Sequence, residues 1–191
     1  MITKDRLYRP VEMRLADEDM VIEGRAVVYD SPTVLYEADG IEYKEIIERG
    51  ALNNAKMDDV VLVYNHDGKP MARTRNGSLE LIHTDAGLDI RADLSATREG
   101  REMYESIKAG LLDRMSFSFI ADKDTYDRNT HTRRVRSIKR LFDCSIVDFP
   151  AYDKTLVYAR SFFEAEAEKE RVEAREALEL ARAKYDFLEV K

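Results

Sequence analysis

Three apolar stretches of the chain are each interrupted by a side chain that can do chemistry. The run VVLVYNHDGKP (60–70) delivers His66 at its end, MSFSFI (115–120) sets Ser116 and Ser118 two residues apart, and LFDCSIVDFPAY (141–152) holds Asp143. If each run is a strand, side chains two apart share a face. His66 then follows Val60, Leu62 and Tyr64, the two serines oppose Met115, Phe117 and Phe119, and Asp143 lies with Leu141, Ser145, Val147 and Phe149. A carboxylate in such company needs a partner, because burying it unpaired is costly. Together the three supply a nucleophile, a base and an orienting acid. A serine hydroxyl attacks a carbonyl only when a base within hydrogen-bond reach takes its proton, and imidazole is suited to that exchange. Taken singly, a histidine capping a strand and serines on a solvated sheet face explain the same residues. Chain order does not decide the matter, since this constellation occurs in several orders.

The elements that would carry these residues are mostly strands. MVIEGRAVVYD (20–30) is rich in β-branched residues and stops at DSPT, IEYKEIIERGAL runs into a loop at its glycine, and VVLVY covers 60–64. Alternating runs at 79–83 and 88–94 flank TDAG and predict a hairpin. Over 97–109 the period changes: Met103, Ile107 and Leu111 recur every four residues and Gly110 is placed as a helix-ending glycine, so an amphipathic helix feeds the MSFSF strand. DKDTYDRNTHT reads as a hairpin connection before RRVRSIKRLFDCSIVDF resumes the alternation, which Pro150 ends. Residues 161–191 contain neither Gly nor Pro, and Ala174, Leu178, Ala181, Tyr185 and Leu188 step by four and three along a narrow seam. Such a seam needs a partner surface. The expected division is a domain over 1–160 and a charged helical extension over 161–191.

Composition excludes several classes. The chain has 191 residues, a net charge of −7 and 36% charged residues, which suits one globular domain and argues against general affinity for nucleic acid. Its one cysteine, Cys144, forbids an intrachain disulfide and points to a reducing compartment; its place opposite Asp143 suits a core thiol. No run approaches a membrane span, and MITKDRLYRP lacks the apolar centre of a signal peptide, so a cytoplasmic protein is expected. The histidines His66, His83 and His131 have no compact ligand spacing, and DGKPMART lacks the upstream glycine of a phosphate loop, so neither a metal nor another cofactor is expected.

VIEGRAVVYDSP, EIIERGAL, VVLVYNHD, GREMYESIKAGLLDRMSFSF and LFDCSIVDFPAY, in that order, resemble the caudovirus prohead serine proteases, over about residues 20–158. That family is similar in fold to the herpesvirus assemblins. The resemblance implies an α+β fold, a closed or nearly closed, mainly antiparallel β-barrel surrounded by helices, with the charged helix appended. It implies His66 as general base, Ser116 as nucleophile and Asp143, where glutamate is commoner, as third member; assemblins use a second histidine there, which leaves His131 or His83 open. Ser118 stands where the family usually has a small residue, so Ser118→Ala is expected to retain activity. Arg133 and Arg134 in THTRRVRSIKR fall on a loop that supplies oxyanion contacts in assemblins, although a charged edge strand explains the run as well. The implied function is cleavage of the scaffolding segment of the major capsid protein, and of the protease itself, inside an immature prohead in the host cytoplasm, with self-association as a further partner. The rival is a non-enzymatic scaffolding or capsid-assembly component that keeps the fold.

Overall fold

Alternating apolar and polar residues run through most of the chain, and the strands they form assemble into two sheets. The computed structural model describes residues 5–10, 13–16, 20–148 and 154–189, with side chains over 13–16, 20–148 and 163–182. The strands are β1 (Asp5–Pro10), β2 (Met13–Leu15), β3 (Val21–Val28), β4 (Thr33–Ala38), β5 (Ile41–Ile47), β6 (Val61–Tyr64), β7 (Asp67–Arg73), β8 (Leu79–Thr84) and β9 (Gly87–Asp93). Helix α1 (Arg98–Lys108), β10 (Arg114–Asp127), β11 (Thr132–Val147) and α2 (Lys154–Glu189) complete the order. One sheet runs β1-β10-β11-β5-β4, with β6 on β11 and β7 on β6; the other runs β2-β3-β9-β8.

The sheets do not close into the expected barrel. Closure would require the end strands of a sheet to pair, yet β1 and β4 end one sheet and β2 and β8 the other. Two-residue alternation tells which side chains face inward; it says nothing about whether the ends meet. Pairing is antiparallel except where β11 lies parallel to β5 and to β6. Two α-helices and one short 3-10 turn (Thr74–Asn76) accompany the sheets among the described residues, which is fewer than a barrel surrounded by helices.

Each sheet contributes one face to a shared core. Ile22, Val27, Leu88 and Ile90 come from the β3-β9 sheet, and Met115, Phe117, Phe119, Leu141 and Ile146 from β10 and β11. Phe117 and Phe119 stack at 5.1 Å between ring centroids. This burial fixes the register of β10: with the aromatic side inward, Ser116 and Ser118 must face the other way.

Helix α1 ends where its glycine predicts, and a cap not anticipated from the sequence opens it. The Thr97 hydroxyl accepts from the Gly100 N–H, Met103, Tyr104 and Ile107 are buried, and Gly110 takes the left-handed φ of 73°. Leu111, expected on the buried stripe, lies beyond the helix and is exposed. Helix α2 begins at Lys154, before the expected 161, so the 160/161 boundary falls within one element. Phe163 is buried against the rings of Tyr36, Tyr43 and Tyr126, and Arg128 bridges to Glu170 and Glu173. Beyond this anchor Ala174, Leu178 and Ala181 of the seam are exposed; the side chains of Tyr185 and Leu188 lie outside the described set, as does Pro150. No helix among the described residues is long and apolar enough to cross a membrane.

Candidate active site

Strand β11 lies between β10, which carries Ser116 and Ser118, and β6, which leads into the turn that carries His66. In the β10-β11 ladder Ser116 faces Ser145 and Ser118 faces Asp143; in the parallel β6-β11 ladder Asp143 faces Val61 and Ser145 faces Val63. Four polar side chains thus line one face of two adjacent strands. A register shift at Ser118/Phe119 leaves Phe142 as an extra residue, with Leu141 opposite Phe119. This bulge changes the phase of the strand. Leu141 therefore joins the core, and the expected shared face of Leu141 and Asp143 is broken.

His66 is not part of the strand that precedes it. Tyr64 pairs with Asp67, and the two residues between them, Asn65 and His66, have φ of 48° and 59°. That is a tight two-residue hairpin turn with both central residues left-handed. Asparagine and histidine tolerate this region better than most residues, but it still costs about 1–2 kcal/mol where glycine would cost nothing. The turn aims the imidazole back over β11, where its side chain is wholly buried.

There the imidazole meets both expected partners. Its Nε2 lies 2.8 Å from Ser116 Oγ and its Nδ1 2.5 Å from Asp143 Oδ1. Two further hydroxyls complete the surroundings of the carboxylate: Ser145 Oγ donates to Oδ1 at 3.0 Å and Ser118 Oγ donates to Oδ2. Counting protons fixes the tautomer. An ionised carboxylate only accepts, so Nδ1 carries the proton and Nε2 turns a lone pair to the Ser116 hydroxyl. Burial acts to raise the Asp143 carboxyl, but the hydrogen bond and charge of His66 and the two serine hydroxyls hold it below its ordinary value. The arrangement can take a proton from Ser116 and hold the resulting imidazolium. Ser116 itself is 1% exposed, so acyl transfer to it requires movement of the chain that covers it.

Other expected residues stand elsewhere. Arg133 is buried near the opposite end of β11, paired with Glu45 and Asp124, and Arg134 faces Glu48. Ten residues of strand, roughly 30 Å, separate Arg133 from Asp143, so neither arginine can serve an oxyanion beside Ser116. This corrects their assignment. His131 precedes the same end of β11 and bonds the Tyr126 hydroxyl at 2.9 Å, while His83 is exposed on β8, opposite Leu88. Neither joins His66. Cys144 faces the core, where burial and the neighbouring Asp143 charge push its thiol up. Sequence reasoning missed the parts played by Ser118 and Ser145. Their two-residue spacing from Ser116 and Asp143 was a usable signal, but it needed the β10-β11 register. Among the described residues no group of three or more His, Cys, Asp or Glu could hold a metal.

The model of the family described as caudovirus prohead serine protease matches residues 9–170, a span that includes β6, β10 and β11. Among solved structures the chain is similar to the bacteriophage T4 capsid assembly protease, gp21, at 13% identity and a TM-score of 0.44, covering 76% of this chain and 96% of that one. No curated protein matches.

Proposed function

Since the chain belongs to the caudovirus prohead serine protease family, we propose that it is a serine endopeptidase of phage head maturation, with Ser116 as nucleophile, His66 as general base and Asp143 as the acid that orients the imidazole. The observation that carries this reading is the unbroken path from Ser116 Oγ through His66 to Asp143 Oδ1, built from segments 50 and 77 residues apart. As Oγ attacks the scissile carbonyl its proton passes to Nε2, and the imidazolium is held by the Asp143 carboxylate. The same proton then goes to the leaving amine, and a water activated by Nε2 releases the acyl group from Ser116. Oxyanion donors belong beside Ser116, within about 3 Å of the developing charge.

The proposed substrates are the scaffolding segment of the major capsid protein and the protease's own chain, cut inside the immature prohead within the host cell. Residues 1–160 form the proposed protease domain and 161–191 its charged extension, where the exposed Ala174, Leu178 and Ala181 offer a surface for assembly partners or self-association. The fold relation to herpesvirus assemblins implied by the motifs belongs to the same proposal. The test is co-expression with the major capsid protein of the same phage, read by mass spectrometry. Intact protein shortens the capsid protein and Ser116→Ala does not. A capsid protein left whole by both would favour the non-enzymatic assembly component.

A further inference from the structure

The hydroxyl of Ser145 makes three contacts within the site, and none of them is to a group that reacts with a carbonyl. It accepts from the His66 backbone N–H at 3.0 Å, donates to Asp143 Oδ1 at 3.0 Å, and lies 3.1 Å from His66 Nδ1. Its single proton has one destination, since the carboxylate is the only acceptor among these partners, and its lone pairs are then left for the N–H groups.

The position of this hydroxyl follows from where the parallel ladder ends. Strand β6 runs beside β11, and the Asn65 N–H still reaches the Ile146 carbonyl at 3.0 Å. Asn65 and His66 are both left-handed, so the ladder ends there, and the His66 N–H is taken up by the Ser145 side chain. Ser145 is wholly buried. One hydroxyl thus ties the strained turn that carries the base to the carboxylate that orients it.

We propose that Ser145 is a positioning residue that fixes the His66 turn and the Asp143 carboxylate in mutual register through a bridge from backbone N–H to carboxylate oxygen. This rests on the reading of His66 and Asp143 as base and orienting acid. Ser145 acts through both and touches no reacting atom. Misplacement of a catalytic group by about 1 Å costs up to about 10²-fold in rate, so loss of the bridge falls between a tenfold and a hundredfold effect.

The test compares wild type, Ser145→Ala, Ser145→Thr and Ser145→Cys in the full chain. A fluorophosphonate probe reads the rate and the final stoichiometry of labelling at Ser116, and the proton NMR signal of the His66 Nδ1–H reads the Asp143 contact without any reaction. Ser145→Ala is expected to label about 10–100-fold more slowly but to full stoichiometry, with the Nδ1–H signal shifted and faster to exchange; Ser145→Thr, which keeps the hydroxyl, restores both within about threefold. A purely structural serine would lower the fraction of protein that labels and leave the rate of the remainder unchanged, and that result overturns the proposal. So does an unmoved Nδ1–H signal. If Ser145→Ala does not fold, Ser145→Cys, similar in volume and a poor donor, takes its place: slow labelling supports the bridge and wild-type labelling refutes it. A wild-type protein that takes no label silences the labelling arm, because Ser116 is buried, and the NMR comparison then decides the Ser145 bridge by itself.

Discussion

Asp143→Asn separates the two things the carboxylate does for His66. The first is electrostatic. With the imidazolium about 4 Å from the carboxylate charge and an effective dielectric near 20, their attraction is worth about 4 kcal/mol, which corresponds to about 10³ in rate. The second is the tautomer. An asparagine can keep its oxygen toward Nδ1 if its amide nitrogen finds an acceptor on the other side, and the Ser118 hydroxyl, which donates to Oδ2 in the native site, can rotate to accept it. Only the charge is then lost. With the amide reversed, Nδ1 must accept, Nε2 carries the proton toward Ser116, and the base has no lone pair to use, a situation that costs about 10⁴. We therefore predict that Asp143→Asn lowers the single-turnover rate of scaffolding-segment cleavage by about 10³-fold, and that adding Ser118→Ala deepens the loss toward about 10⁴-fold. Both variants stay measurably above Ser116→Ala. A rate for Asp143→Asn within tenfold of wild type would refute the reasoning, because neither the charge nor the tautomer would then matter.

Four other outcomes follow from the same geometry. Ser116→Ala should give a folded protein with an unchanged circular-dichroism melt, and His66→Ala a folded protein of lower Tm, since it leaves the buried Asp143 carboxylate without its imidazole partner. Neither should cut the substrate; cleavage by either would move the nucleophile or the base elsewhere. Ser118→Ala, expected from sequence to be silent, should instead lower Tm and activity, since it leaves a buried carboxylate oxygen without a donor at about 1.5–3 kcal/mol; a melt identical to wild type would contradict it. The Asp143 carboxyl is held below its unfolded value, so its contribution to stability is present above about pH 4 and is lost as pH falls through the folded value. The Tm advantage of wild type over Asp143→Asn should therefore narrow on acidification, and a gap that widens would reverse the sign. Truncation after Ala159 removes the buried Phe163, worth about 3–5 kcal/mol, and should destabilise the domain, whereas truncation after Ala174 keeps that anchor and should leave the melt and the cleavage rate intact.

The parts of this fold that could be read from the sequence are those whose cause is local. Gly110 ends α1 because capping is decided within a few residues. Likewise the β8-β9 hairpin closes around the Asp85–Ala86 turn, and the aromatic side of β10 faces inward as its alternation requires. Ser116 and His66 could be named, but their meeting could not. It depends on β6 lying parallel to β11, a pairing between residues about 80 apart that leaves no mark on either run. The turn at His66 was hidden for a related reason: Asn-His is an uncommon choice for two left-handed positions, and part of what holds it is a serine on another strand. Arg133 and Arg134 failed in the opposite way. The basic run looked like an exposed edge or an oxyanion loop, but the carboxylates that pair with Arg133 arrive from β5 and β10.

Strand β11 explains both the success and the failure. It is 16 residues long, which at about 3.3 Å per residue spans roughly 50 Å. Its beginning lies beside β5 and carries the buried ion pairs; its end lies beside β6 and carries Asp143 and Ser145. Motifs that are neighbours in the sequence, RRVR and DCS, are therefore at opposite ends of the molecule's longest strand, and no loop returns one to the other. Both ends of β11 are flanked on two sides, by β10 and β5 at its beginning and by β10 and β6 at its end, but only at its end are the flanks the strand that holds Ser116 and the one that leads into the turn holding His66. Changes of length between Val61 and His66 should be tolerated far less than changes in the β10-β11 turn at 128–131, because only the former alter the register of the base against Asp143.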